Sequence, residues 1–567
     1  MKLMRIAFSV LLGVTLAAPA VASSDWVEDF LRRYEPAMSV GTVASASTSN
    51  LGLFLQTGVV PVTMNDVISM MIEKNLDIRS NRLNPRSSYF QSLVFYRALQ
   101  PSIRFAGTVS HDTVLSTTQL NGATSRSQLQ GNYAVNFSQA LPTGTSLAVD
   151  VNMNRSSSNS NNNIFNPSYT GRVTYTVGQH LLRDRGRRIQ MHQILTGQNN
   201  ERISETQFEI QVTNLLVQAQ KAYWDLVFAG EDLNVKQRSL DLAQQTLDEN
   251  KMRVEIGTLA PIDVVQTQAD VASRREQLVL STYNVTQAED QIKKMTSDDK
   301  DPAMFLVRLR ASEAPRRPDG AQIPTLEEAV KIALETRPEM RQAILDMQNK
   351  DIDAEYTKNQ TLPSFDVTAA YNQNGTGGTK RRDFTLGSPA LTNPLPGGLV
   401  DAFGQLFHYQ FTGYSLGFSV VLPLSNKAQQ ADYDRALTEK RLSESRMNVT
   451  AQEIALEVRN ALTQAEMNRA RIETAQITRE LADQKLEAEQ TKFNLGTSTL
   501  RFVLEEQRNV AQAQTNEVQS IVNFTKSLVD LDKAMGLTLR KNNVEIDKTL
   551  NPVAGINVIR KTETAAQ

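Results

Sequence analysis

The sequence predicts an α+β membrane protein built as a duplication, in which a helix, a set of strands and a long helical hairpin follow one another twice. Three observations carry this. Leu226, Leu233, Leu240, Leu247 and Val254 recur every seven residues, and Val264, Val271, Leu278, Val285 and Ile292 do the same after a break. A sustained apolar heptad marks supercoiled helices. Second, Lys492-Phe493-Asn494-Leu495-Gly496-Thr497 repeats Arg253-Val254-Glu255-Ile256-Gly257-Thr258, and Thr325-Leu326-Glu327-Glu328 repeats Thr63-Met64-Asn65-Asp66. Such self-similarity is the mark of tandem copies. Third, the stretches between these landmarks alternate apolar and polar residues, which is the period of strands.

The elements follow in order. Residues 1–22 read as a secretory signal peptide: Lys2 and Arg5, an apolar run from 6 to 16, then Ala20-Val21-Ala22. An anchoring helix is the competing reading, but the run is short for a span of about 20 residues. Residues 23–62 form a lead-in without periodicity. The first repeat covers 63–296. It opens with a helix over 64–99, N-capped by Thr63 and stopped by Pro101.

Strands follow over 102–180, with Ile103, Phe105 and Val109, then Tyr133, Val135 and Phe137, then Leu147, Val149 and Val151, then Val173, Tyr175 and Val177 on one face. Pro142-Thr143-Gly144 reads as a short turn, and 155–167 as a long polar loop rich in Ser and Asn. Short turns at one end and long loops at the other suit a transmembrane β-barrel. A soluble antiparallel sandwich has the same alternation.

A long hairpin comes next, its tip at Gly257-Thr258-Leu259-Ala260-Pro261. Gly can end a helix in the left-handed conformation, and Pro suits the first turn of the following one. The first arm of roughly 50 residues would reach about 75 Å, more than a compact domain needs. Residues 297–324 are a charged linker containing Pro. The second repeat, 325–536, has a helix over 326–360, strands within 364–423, a loop over 372–404, and a hairpin over 442–535 with its tip near 496. Residues 537–567 read as a polar tail. The first copy is 23 residues longer between its landmarks, because the threonines lie 262 residues apart and the tip glycines 239.

Composition narrows the chemistry. The chain has 567 residues, 40% hydrophobic and 21% charged, with a formal charge of −1. Loss of Lys2 and Arg5 with the leader would make it −3. This is not the basic balance of a nucleic-acid binder. Cysteine is absent, which excludes disulfides, thiolate metal sites and a lipidated N-terminal cysteine. His111, His180, His192 and His408 lack metal-ligand spacing. No phosphate-binding glycine loop stands beside a lysine. The sequence offers no catalytic constellation, no metal site and no cofactor motif.

The order and duplication of Thr325-Leu326-Glu327-Glu328-Ala329-Val330, Arg337-Pro338-Glu339, Leu362-Pro363-Ser364 and the two Gly-Thr tips resemble the TolC family of outer-membrane efflux proteins, over nearly the whole mature chain. The resemblance implies a homotrimer with one shared β-barrel in the outer membrane of a Gram-negative bacterium, continued by a helical barrel through the periplasm. It implies an exit duct for tripartite efflux or type I secretion, carrying small molecules or proteins. The implied partners are a periplasmic adaptor, or membrane fusion, protein and an inner-membrane pump of the RND or ABC type. Two strands per half would give twelve in the trimer. The surplus hairpin at 131–154 would raise this to eighteen if it joined the barrel. A non-conducting coiled-coil tether across the periplasm is the alternative, but a tether needs no closed barrel.

The resemblance also places a gate at the periplasmic hairpin ends. Asp263 matches a family gate aspartate, six residues after the tip glycine. Phe493 stands where the family can carry a gate tyrosine, and keeps the ring without the hydroxyl. Ser498 stands where a gate arginine can be, and Arg501 is the substitute three residues on. Glu505 matches an acidic position facing the lumen. Asp263 and Glu505 equally suit a solvated helix face. Gly257, Thr258, Leu259, Gly496, Thr497 and Ser498 match the region where adaptors dock, although a plain helix–helix turn has the same residues.

Overall fold

The computed structural model describes residues 58–117, 123–160, 163, 165–297, 307–315, 323–380, 398–409, 411–551 and 555–560. The leader 1–22 lies outside them. Six strands form one antiparallel sheet: β2 (Ser102–Leu115), β3 (Ser125–Ala140), β4 (Thr145–Ser158), β5 (Phe165–His180), β7 (Ser364–Lys380) and β8 (Thr412–Val421), side by side in that order. The surplus hairpin is therefore part of the same sheet.

The alternation in the sequence becomes a two-faced surface through register. One cross-strand row reads Ile103, Phe137, Val149, Tyr175, Tyr371 and Tyr414. The next reads Arg104, Asn136, Asp150, Thr174, Asn372 and Gly413, and belongs to the other face. Successive side chains point to opposite faces, so register alone makes one face apolar and the other polar across all six strands. Tyr175 and Tyr371 stack with ring centroids 6.4 Å apart. On the polar face Arg172 Nε donates to Asn374 Oδ1 at 2.9 Å. The strands also extend further into the Ser/Asn-rich segments than their composition suggests. Where a loop is expected over 155–167, β4 reaches Ser158 and β5 begins at Phe165. Where one is expected over 372–404, β7 continues to Lys380 and a helix, Leu399–Phe407, has already begun. Ladder bonds decide these segments, because the polar face of the sheet tolerates Ser and Asn.

The helix expected over 64–99 is broken into α1 (Met64–Lys74), α2 (Leu76–Asn81), α3 (Leu83–Val94) and a 3₁₀ turn, Phe95–Leu99. Asn75 makes the first break: its Oδ1 accepts from the N–H groups of Asp77 and Ile78, and its amide donates to Met295 O at 3.0 Å. A local cap here outcompetes helix continuation. After a short turn α4 (Arg187–Gln190), the first hairpin is α5 (His192–Glu255) and α6 (Pro261–Thr296). The second half has α7 (Leu326–Thr336), α8 (Pro338–Gln360), the short helix α9 (Leu399–Phe407), α10 (Lys427–Asn494) and α11 (Leu500–Ala534). The 64 residues of α5 span about 96 Å, so both first arms start earlier than the heptads alone indicate.

The duplication is visible in the packing. Thr63 and Thr325 each close a reciprocal capping box, with Asp66 and Glu328. Each boxed helix then packs on its own hairpin. Val67, Ile68 and Met71 meet Val212, Leu216, Leu226 and Ile292 in one core. Ala329 and Ala333 meet Ile454, Val458, Leu531 and Ala534 in the other. In the first core Tyr223 is wholly buried and its phenol pKa is pushed up to about 12, chiefly by burial. Helices α6, α5, α11 and α10 lie side by side in that order.

Three expectations are corrected here. The lead-in and the linker are not featureless, since β1 (Val59–Val62) pairs in parallel with β6 (Arg308–Ala311) and supplies Val60, Val62 and Leu309 to the first core. Residues 537–567 are not merely a polar tail. A turn α12 (Thr538–Lys541) leads into a hairpin of β9 (Val544–Asn551) and β10 (Gly555–Arg560), and Val544 is buried in the first core. Finally, the buried seam of α6 is mostly polar: Thr267, Asp270, Arg274 and Ser281 are buried, whereas Val264, Val271, Leu278 and Val285 are half-buried. As an outer helix, α6 packs chiefly on α5 and only slightly on α11, so its apolar stripe is only partly covered.

Candidate functional site at the hairpin tips

Both tips are the same piece of backbone chemistry. Gly257 and Gly496 adopt φ of +74° and +76°. The Gly257 N–H donates to Val254 O at 3.0 Å and the Thr258 N–H to Arg253 O at 2.9 Å. Gly496 and Thr497 repeat this with Phe493 O and Lys492 O, at 3.0 and 2.9 Å. This pair of bonds is the Schellman motif, which satisfies helix-end carbonyls when the residue after the cap turns left-handed. The threonine hydroxyls add a third bond to the same carbonyls, at 3.0 Å from Thr258 and 3.1 Å from Thr497. The Gly-Thr pair is thus demanded by the turn itself. Leu259 and Ser498 are half-buried beyond it.

The two tips touch. The Arg253 guanidinium lies 5.3 Å from the centre of the Phe493 ring, and its Nη2 is 3.4 Å from Asn494 Oδ1. A ring without a hydroxyl still attracts a cation through its π face, so Phe493 bridges the hairpins. Ser498 does not take an arginine's place: its hydroxyl donates to Glu489, which also holds Lys492. Hydrogen bonds from Ser498 and Lys492 hold the Glu489 carboxyl below its ordinary range. Asp263 is half-buried in the first turn of α6. The cap residue there, Ala260, has no side-chain acceptor, and a carboxylate at this end complements the helix dipole. Arg501 and Glu505 are exposed one turn apart on α11. Among the described residues, no ion pair within one chain involves Asp263, Arg501 or Glu505.

A cluster beyond the tip was not anticipated. Asp270 and Arg274 are buried, with side-chain exposures of 4% and 2%, and approach to 2.7 Å. That approach is an ion contact without hydrogen-bond alignment, since Asp270 Oδ2 and Arg274 Nε find no hydrogen-bond partner. Arg274 instead donates to Ser239 O and Oγ on α5, at 3.0 and 2.9 Å, and to Gln507 Oε1 on α11 at 3.2 Å. Arg508 approaches the other Asp270 oxygen to 3.3 Å. Burial lowers the Arg274 pKa, and the charge of Asp270 opposes that. One charged set thus ties both hairpins together. The sequence holds its signal, because Arg274 falls three residues after Val271 in the heptad, at a position that ordinarily takes an apolar residue.

Among the described residues no group of three or more potential ligands could hold a metal ion. No helix among them is long and apolar enough to cross a membrane. One face of the sheet is a broad apolar surface, where Tyr414 is 90% exposed and Leu416 and Phe418 are each 78% exposed.

Comparison with known proteins accords with this geometry. The model of the outer membrane efflux protein family matches residues 120–297 and 329–537. Comparison with curated protein sequences returns no match. Among solved structures, the CmeC outer membrane channel of Campylobacter jejuni aligns at a TM-score of 0.57 and 14% identity, covering 89% of this chain and 93% of that one. The outer membrane protein VceC of Vibrio cholerae aligns at 0.57 and 12% identity, over 83% and 96%. The open state of the MtrE outer membrane channel of Neisseria gonorrhoeae aligns at 0.56 and 16% identity, over 84% and 89%. These likenesses give the fold, and the family match extends over more than half of the sequence. The chain belongs to the outer membrane efflux protein family, the outer-membrane channels of tripartite pumps.

Proposed function

We propose that three copies of this chain close one eighteen-stranded barrel in the outer membrane and continue it as a helical tunnel to the hairpin tips. The observation that carries the proposal is the six-stranded sheet with one apolar face and two edge strands, β2 and β8. Lipid cannot hydrogen-bond to an open strand edge, so a spanning sheet must close on itself. β2 of one copy and β8 of the next run antiparallel, and three sets of six strands make eighteen. The polar face lines the lumen and the apolar face meets lipid. Periplasmic adaptors dock at Gly257, Thr258, Leu259, Gly496, Thr497 and Ser498, and an inner-membrane pump supplies the energy. A non-conducting tether would have no use for the apolar face.

The gate is read in the same frame. Arg253 already lies over Phe493 within the chain, and Arg501, which makes no ion pair among the described residues, reaches Asp263 of a neighbouring copy. Three copies of Glu505 near one axis make a ring of like charge, which favours cations in the lumen. Single-channel recording of the purified protein in planar bilayers tests both ideas. Arg501→Ala raises basal conductance, and Glu505→Gln lowers cation preference. Parental behaviour in both variants would place the gate elsewhere. A native mass of one chain in detergent would remove the trimer.

A further inference from the structure

The short helix α9 is unusual in its seat. It packs on the apolar face of the sheet, where that face is stripped of side chains. A Cβ built on Gly375 would fall 2.0 Å from Ala402 O, one on Gly377 2.3 Å from Gly398 O, and one on Gly171 3.1 Å from a Leu406 methyl. Gly171 and Gly375 are cross-strand partners in the register that carries Tyr175 and Tyr371. The three glycines therefore form a cradle in which helix and strand backbones meet, with Ala402 and Leu406 wholly buried. Gln405 fastens the helix: its Oε1 accepts from the Thr376 N–H and its Nε2 donates to Thr376 O, both at 3.0 Å.

The helix then presents two unlike flanks. At 100° per residue, Val400, Phe403 and Phe407 fall on one side and Asp401, Gln405 and His408 on the other. The apolar flank is uncovered, with Val400 82% and Phe407 61% exposed, and Tyr409 and Phe411 beyond it are exposed too. Its height is informative. Gly375 is 11 residues along β7 from Ser364, about 36 Å at 3.3 Å per residue. With a strand tilt of about 40°, that is about 28 Å along the barrel axis. The apolar band of such barrels is about 25 Å tall, so α9 sits at its outer boundary.

We propose that α9 is a membrane-interface helix, seated in the glycine cradle on the outer wall of the barrel, whose Val400, Phe403 and Phe407 insert among acyl chains of the outer leaflet. The apolar flank is continuous with the apolar face of the sheet, and the inference rests on reading that face as lipid-facing. Amphipathic helices with a polar flank lie in this way at the headgroup boundary.

Depth-dependent fluorescence quenching tests it. Val400→Trp and, as a reference on bare sheet, Phe418→Trp are reconstituted into vesicles containing phosphatidylcholine brominated near or far from the headgroup. Emission of the parent, which has only Trp26 and Trp224, is subtracted. The proposal expects loss of Val400→Trp emission, greatest with bromine near the headgroup, together with loss at Phe418→Trp. Quenching at Phe418→Trp alone overturns the proposal and leaves the lipid-facing sheet intact. Quenching at neither position overturns both. Adding Gly375→Leu to Val400→Trp unseats the helix and should abolish that quenching while Phe418→Trp still responds. Quenching that survives Gly375→Leu overturns the cradle.

Discussion

Gly257 and Gly496 show why two residues can be identified from a sequence while their neighbours cannot. A left-handed residue after a helix end costs a side chain about 1–2 kcal/mol, and nothing else crowds either position, since an added Cβ meets no atom within 4 Å. The expected order is therefore Gly257→Val worse than Gly257→Asn, with the same order at Gly496, because Asn tolerates this conformation. Hydrogen exchange over the last turn of α5 or α10 checks it, and equal protection in the two variants would refute the strain argument. The Arg337-Pro338-Glu339 motif was readable only as a family mark. In the fold Arg337 clamps Glu339 with two bonds, at 2.8 and 3.1 Å, and also holds Glu457 on α10. Burial alone would raise the Glu339 carboxyl, but Arg337 outweighs it and holds the pKa below its ordinary value. A depressed folded pKa contributes stability in full above the unfolded value, and that contribution is lost as pH falls through the folded one. Thermal melts should show the parent losing stability below about pH 4, with a shallower loss in Glu339→Gln. Parallel curves for the two proteins would contradict this. Such a clamp is invisible in sequence because Glu457 lies 120 residues away.

Among the elements, the hairpins were legible and their seam was not. The heptads located both arms of α5 and α6, and the Gly-Thr repeat located both turns. Heptad counting assigns apolar residues to the interface, but the chain buries polar ones there. Asn250 Nδ2 donates to Thr267 Oγ1 at 3.1 Å, and Ser281 Oγ to Asp232 at 2.7 Å. Thr515 of α11 donates to the other oxygen of Asp232 at 3.1 Å, so the second hairpin joins the same seam. Removing one member of the Asp270–Arg274 pair strands a buried charge, which typically costs about 3–5 kcal/mol. Arg274→Met and Asp270→Leu should each destabilise the protein by that order, and the double variant by less than their sum. Melting of the detergent-extracted protein measures it, and simple additivity would mean that the pair is not coupled. The strands were placed correctly by alternation, yet their ends were misjudged, because Ser and Asn suit both a loop and the polar face of a sheet.

At the scale of the whole molecule, the duplication, the order of elements and the family were legible, whereas the long-range pairing of β1 with β6 and the burial of Val544 were not. Both are single contacts between distant segments, made by stretches too short to carry a period. The hairpin of β3 and β4 is the largest departure from two strands per half. Deleting it, with β2 joined to β5, keeps neighbouring strands antiparallel and leaves four per chain. Barrel width grows about linearly with strand number, so the trimer of this variant should be narrower by about one third in electron cryomicroscopy. A barrel of unchanged width would exclude β3 and β4 from the wall. The same hairpin sets a rule of increments. A chain whose long helical hairpins both lie on one side of the membrane must come back to that side after every excursion, so it can gain wall only as an out-and-back pair. In the proposed trimer each pair is multiplied by three. Pore calibre in such a duct cannot drift by single strands but jumps by six at a time, and one short insertion in one sequence widens the whole conduit.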